Sequence, residues 1–385
     1  MKHVLQCHPV APVEIVRAQG DSLYDRNGKR YIDFEAGIWC NALGHNHPRT
    51  LACLHRQADA VMHLGPLFSG SLTEAAATAL LRHTPHPDGK VTFLSSGSEA
   101  VETGIRLARR LTGRRRLLSL GKSYLGAYGE SSQDSAEVWT KVDLTPCLTC
   151  PLKECSARCP NLSHVEPEQT AAFVFEPVLA SGGILVAPPK LVRLLVGLVQ
   201  EAGGLVVVDE VTTGFGRTGT WWGFEQDGVT PDIIACGKSL GNGYPVSAVI
   251  VSPAVAEAAE RAEFRHSQSH QNDPLAAAMA LEVIQTFEEE RVLELVPAAS
   301  AALVTALRGL ESPLVADVRG LGLMYGLELT PGLVDVVWPR MLHRGFMVGF
   351  KSPLSLLRFL PPLVVGLEGI AEMGAALRQV LAELE

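Results

Sequence analysis

Leu205-Val206-Val207-Val208-Asp209 and Ile233-Ile234-Ala235-Cys236-Gly237-Lys238 are two short, unbroken apolar runs, each stopping on residues with chemistry to offer. A strand buried on both faces of a parallel sheet reads this way, because both sets of alternating side chains must be apolar. Working outward, Ala172–Phe175 is a third such run and leads into Glu176, with Leu191–Ala202 patterned as the crossover helix that follows. Val91–Leu94 is a strand ahead of an amphipathic helix over Glu99–Leu111, and Ser247–Val251 is a further strand. Apolar runs alternating with helical patterns predict an α/β fold around a mostly parallel sheet flanked by helices. From about Ala262 the pattern turns to helices with a few strands, Gly320–Glu328 among them, which predicts a second, smaller α+β domain that the segment Ile15–Phe34 joins. The expected division is a large domain over 36–261, carrying a cysteine-rich insertion at about 143–162, and a small domain from 1–35 and 262–385.

Composition narrows the function classes. The chain has 385 residues, of which 47% are hydrophobic, and a net charge of -8. That charge disfavours a nucleic-acid partner, which needs a basic stripe. Arg109, Arg110, Arg114, Arg115 and Arg116 are read as the end of a helix and its flank, where cations suit the negative end of the dipole. No apolar run reaches the roughly 20 residues of a membrane span, and residues 1–16 lack a signal-peptide pattern. The expected setting is cytosolic, with no membrane partner and with disulfides disfavoured.

Ligands bind such sheets at the carboxyl ends of the strands, and three features fall there. Ser96-Gly97-Ser98-Glu99 lies between a strand and a helix, where small residues let N–H groups approach a phosphate; it reads equally well as a capping box. Asp209 can pair with a protonated ring nitrogen, although an acid at a strand end is often a helix cap or a metal ligand. Lys238, leaving a buried strand among small residues, is placed for imine formation because desolvation lowers its pKa. Alone it would most often be a solvated side chain. Together they supply a phosphate cup, an acid for a heterocycle and an amine nucleophile.

With these in view, the chain resembles the class III aminotransferases, which have the pyridoxal-phosphate (PLP) fold type I. The similarity rests on Ser96–Ala100, Ser123-Tyr124-Leu125-Gly126, Glu176-Pro177-Val178, Asp209–Gly219, Pro231-Asp232-Ile233, Gly237–Gly243 and Gly44-His45-Asn46-His47-Pro48. The resemblance implies PLP as cofactor, a homodimer with the active site at its interface, and ping-pong exchange of amino and keto groups between an amino donor and a 2-oxo acid. It implies Lys238 as the Schiff-base lysine and proton carrier, Asp209 as partner of the pyridinium nitrogen, and Tyr124 and Val211 as the groups on the two ring faces. Gly97 and Ser98 match the phosphate-binding positions. Ser269 stands where the family has a threonine reaching the neighbouring subunit's phosphate, and Arg358 matches the arginine that grips a substrate carboxylate.

Departures qualify this resemblance. Leu125 stands in place of the family's histidine, and Thr212 in place of a glutamine that supports the cofactor's phenolic oxygen. Ser181 lines up with a gating glutamate of ornithine- and GABA-type members, which argues against an ω-amino-acid substrate. Residues 180–184 and 269–274 are similar to the 2,2-dialkylglycine decarboxylase branch, but Ile38 stands where that enzyme has a glutamine implicated in decarboxylation. Trp39 is read as a wall of the substrate pocket, or else as a core residue. The alternatives are a PLP-dependent racemase, epimerase or decarboxylase, and, in another class, a silent PLP-fold protein whose metal loop is an interaction module.

That loop contains Cys147, Cys150, Cys155 and Cys159, spaced C-x2-C-x4-C-x3-C among prolines. Four soft thiolates at such spacing suit tetrahedral zinc in a structural site, with an iron–sulfur cluster, or redox-active or unliganded thiols, as the alternatives. Cys7, Cys40, Cys53 and Cys236 are scattered and read as small hydrophobes.

Overall fold

A computed structural model of the chain describes residues 3–8, 10–68, 70–133 and 135–385. The N-terminal strands β1 (Ile15–Gln19), β2 (Ser22–Asp25) and β3 (Arg30–Asp33) form an antiparallel meander, followed by one turn, α1 (Ala36–Trp39), and the helices α2 (Pro48–Ala60) and α3 (Ser71–Leu81). The central region runs β4 (Lys90–Leu94), α4 (Gly97–Thr112), β5 (Arg116–Leu120), β6 (Trp139–Val142), a single turn α5 (Thr145–Leu148) and β7 (Thr170–Phe175). It continues through the two-residue strands β8 (Val178–Leu179) and β9 (Leu185–Val186), then α6 (Pro189–Glu201), β10 (Leu205–Asp209), β11 (Ile233–Cys236), β12 (Ser247–Val251) and α7 (Pro253–Arg261). After α8 (Pro274–Glu289) and α9 (Val292–Arg308) come β13 (Val315–Leu321), β14 (Met324–Leu329), α10 (Val334–His343), β15 (Phe346–Met347), β16 (Gly349–Lys351), β17 (Leu356–Phe359) and α11 (Leu367–Ala382).

The seven-stranded sheet has the order β4-β12-β11-β10-β7-β5-β6. Val206, Val207 and Val208 are wholly buried, as are all four residues of β11, and full burial of a valine or isoleucine is worth about 1.5–3 kcal/mol. α4 starts on a complete capping box, Ser96 with Glu99, and stops at Gly113 in the left-handed region (φ 68°). It lies close on the sheet because Gly104 has no side chain: a Cβ there would stand 3.0 Å from Val207 Cγ1. Arg109 and Arg110 do occupy the last turn of α4, whereas Arg116 opens β5.

Three local expectations change. β12 runs antiparallel to both neighbours, so the sheet is parallel except at that strand. Gly320–Glu328 is not one strand: β13 and β14 form a hairpin turning at Gly322, whose φ of +61° favours glycine and where a Cβ would meet Arg217 O at 2.4 Å. The β8–β9 hairpin intervenes before the crossover helix. The two ends of the chain meet where β3 pairs in parallel with β15, Ile32 opposite Phe346. β13, β14, β17 and β16 form a separate antiparallel sheet. No helix among the described residues is long and apolar enough to cross a membrane.

Candidate active site

β5, β7, β10 and β11 are parallel, and β4 points the same way because two antiparallel steps through β12 restore its direction. Their carboxyl ends deliver Tyr124, Glu176, Asp209, Lys238 and the start of α4 to one edge of the sheet. A cavity of about 180 Å³ opens there, lined by Gly97, Ser98, Tyr124, Leu125, Gly126, Asp209, Val211, Thr212 and Lys238.

The electrostatics follow from burial. Lys238 is half-buried, and loss of hydration holds its ammonium below the ordinary lysine value, while Asp209 pulls the other way. Its Nζ donates to Thr212 Oγ1 at 2.5 Å and stands 4.6 Å from the Trp39 ring centroid. Burial pushes the Asp209 carboxyl up to about 7, against the Val211 N–H that donates to Oδ1 at 3.0 Å and against the Lys238 charge. Behind it, Glu176 is pushed up to about 8, by burial first and then by Asp209. Glu176 Oε1 accepts the Tyr124 N–H at 2.9 Å and so fixes the loop carrying that aromatic.

At the start of α4, Ser96 takes the N–H groups of Glu99 and Ala100. The N–H groups of Gly97 and Ser98 are left at the positive helix end. Gly97 lies so near Val211 that a Cβ would meet Val211 Cγ1 at 2.5 Å. Capping box and phosphate cup are therefore compatible readings of one turn. Ser98 Oγ accepts the Ala127 N–H at 3.0 Å, which leaves its own proton to donate.

Trp39 and Arg358 adjoin this cavity. The Arg358 guanidinium carbon is 4.9 Å from the Trp39 centroid, and its Nη2 is 3.6 Å from Glu35 Oε2. That separation is an ion pair and too long for a hydrogen bond, and Arg358 Nε has no partner among the described residues. Trp39 is aimed by α1, a left-handed turn: Ala36, Gly37, Ile38 and Trp39 have φ between 45° and 70°. The Asp33 carboxylate holds it by accepting the N–H groups of Glu35, Ala36 and Gly37, and is steadied by His45 at 2.7 Å.

The structure thus gathers Gly97, Ser98, Tyr124, Asp209, Val211, Thr212 and Lys238 around one space, with Trp39 and Arg358 beside it. Ser181 and Ser269 do not line it. Ser181 presents its carbonyl to Lys351 Nζ at 2.6 Å, and Ser269 is exposed. Sequence reasoning missed Glu35, Lys351 and the wholly buried Arg217, whose Nη1 donates to Leu323 O and Pro361 O. No sequence signal marks Glu35; in the fold Gly349 makes room for it, since a Cβ there would stand 1.5 Å from Glu35 Oε1. The four cysteines lie outside the cavity. These residues fit PLP: two N–H groups and a hydroxyl for a phosphate, a buried acid for the ring nitrogen, and a desolvated amine for the aldehyde.

The family model for class III aminotransferases matches residues 6–381. The chain is 30% identical over 377 residues to the [LysW]-aminoadipate semialdehyde/glutamate semialdehyde transaminase of Sulfurisphaera tokodaii, covering 96% of this chain and 95% of that protein. It is 32% identical over 387 residues to the acetylornithine aminotransferase of Bacillus subtilis, covering 99% and 98%. Among solved structures, a Bacillus anthracis aminotransferase superposes with a TM-score of 0.91 at 26% identity, over 99% of this chain and 96% of that one.

Proposed function

The chain belongs to the class III aminotransferases, PLP-dependent transaminases, and we infer from this that Lys238 holds the cofactor and carries the proton in amino-group transfer. The observation that carries the reading is the half-buried Lys238 and buried Asp209 lining one cavity with Gly97 and Ser98 of the α4 N-terminus. PLP, when bound, supplies an electron sink for the carbanion left when the donor loses its α-proton. The Asp209 carboxylate would pair with the protonated ring nitrogen, whose positive charge offsets the burial that otherwise raises this carboxyl. Gly97, Ser98 and the α4 dipole hold the phosphate, and Tyr124 and Val211 confine the ring. Lys238 Nζ, whose desolvation favours the uncharged amine, takes the proton from the donor carbon and returns it; Thr212 orients it. Arg358, with an unpaired Nε, takes a substrate carboxylate and Trp39 walls the pocket, so the substrates are an α-carboxylate amino donor and a 2-oxo acid. Lys351 adds a second cation near Ser181 on that side.

A second copy completes the site, with Ser269 reaching the neighbour's phosphate; its exposed position outside its own cavity supports this. Residues 36–261 form the large domain, and 1–35 with 262–385 the small one. Zinc occupies the four-cysteine loop, ahead of an iron–sulfur cluster. A cytosolic setting accords with eight cysteines that are all unpaired. A single-turnover measurement tests the transfer itself. Donor mixed with holoenzyme in the absence of acceptor should yield about one keto product per chain and then stop until a 2-oxo acid is added. Isomerised donor without keto product would favour racemisation, and carbon dioxide release would favour decarboxylation.

A further inference from the structure

The four cysteines stand apart from the cavity, yet their surroundings suit thiolates. Residues 143–169 leave the carboxyl end of the edge strand β6 and return to β7, a span longer than loops usually sustain unaided. Its regular structure is the single turn α5 and two short 3-10 turns, Pro160–Leu162 and Pro167–Gln169. Leu144 and Leu162 are buried, but Leu148 and Leu152 are exposed. So thin an apolar core calls for a staple.

Backbone turns present the sulfurs. The Cys150 N–H donates to Cys147 O at 3.4 Å, and the Cys159 N–H to Ser156 O at 2.9 Å. All four side chains are half-buried and none is in a disulfide. Cys147, Cys155 and Cys159 pack on the main core. Asn161 Nδ2 donates to Cys147 Sγ at 3.3 Å and to Asp143 O at 2.8 Å. Lys190, in the first turn of α6, donates Nζ to Cys150 O at 2.9 Å and to Leu152 O. A donor to sulfur and an ammonium nearby are outer partners suited to a doubly negative tetrathiolate.

We propose that Cys147, Cys150, Cys155 and Cys159 bind one zinc ion as a closed site that ties the insertion to the start of α6. This rests on zinc as the metal of the loop. Binding converts four thiols to thiolates, releases their protons to solvent and changes no oxidation state. Zn–S bonds of about 2.3 Å set the sulfurs about 3.8 Å apart. No three of these sulfurs lie within 4.8 Å of one another here, so the ion draws the loop inward as it binds. Asn161 then donates a hydrogen bond to one thiolate, the Lys190 ammonium offsets part of the charge, and Lys190 transmits the tie to α6.

The test uses the full-length holoenzyme purified from zinc-supplemented cells without chelator. Elemental analysis should find about one zinc per chain, with Cys150→Ser and Cys155→Ser each removing most of it. Trypsin should cut the wild type slowly at Lys153 and Arg158, and about tenfold faster after chelation. Lys190→Met should keep the zinc but raise that cleavage rate. Less than half an equivalent of any metal overturns both the site and the zinc reading. Iron with inorganic sulfide overturns zinc. Full zinc with cleavage indifferent to chelation and to Lys190→Met leaves the metal in place but overturns the tie.

Discussion

At the scale of single residues, the chemistry comes from groups placed where water cannot serve them. Lys238 is held below the ordinary lysine value by burial, so between its folded and unfolded values the unfolded chain binds its proton more tightly. Its stability contribution therefore improves as pH rises through that window and is lost as pH falls through the folded value. In cofactor-free protein at neutral pH, Lys238→Met should raise stability by removing the desolvated amine, while abolishing transamination. Calorimetry beside a turnover assay checks both, and a lowered melting temperature would argue against a desolvated amine. Asp209→Asn keeps the shape but cannot hold a proton on the ring nitrogen. Its kcat should fall about 10²–10³-fold, a common cost of losing one preorganised electrostatic partner.

At the scale of elements, two features need their glycine or their strain. Gly97→Ala drives a Cβ into Val211, and branching at Val211 prevents an easy escape. Cofactor affinity should drop about tenfold, equivalent to about 1.4 kcal/mol, and Val211→Ala in the same chain should restore part of it; titration with PLP followed by absorbance measures this. The left-handed turn α1 costs roughly 1–2 kcal/mol for each non-glycine residue in it. Ile38 is 60% exposed and buries little, so Ile38→Gly should stabilise the protein by roughly 0.5–1 kcal/mol once glycine's entropy is deducted. Thermal unfolding would show it, and destabilisation would mean the turn is held by the isoleucine after all. These elements also mark where sequence is readable. β10 and β11 are legible because a strand buried on both faces must be apolar throughout, and their last residues face the ligand edge. The reversed direction of β12 is not, because an apolar run carries no arrow. Nor is α1, whose Ala36, Ile38 and Trp39 have ordinary right-handed preferences that the Asp33 carboxylate overrides. Glu35 stayed hidden because its partner Arg358 comes from β17, and only tertiary packing joins them.

At the scale of the whole molecule, the exposed apolar side chains of Met62, Leu64, Leu67 and Phe68 fall in one short stretch, and monomers rarely leave such surface bare. A homodimer should therefore run in sedimentation at a mass near twice that of one chain, and specific activity should fall on dilution below its dissociation constant. A monomer with undiminished activity would show that each chain completes its own site. The most direct measurement is borohydride reduction of the holoenzyme followed by peptide mapping. The predicted result is loss of the cofactor's visible band and one pyridoxyl-modified peptide, labelled at Lys238. A label on any other lysine, or no label on protein that retains PLP, would contradict the assignment.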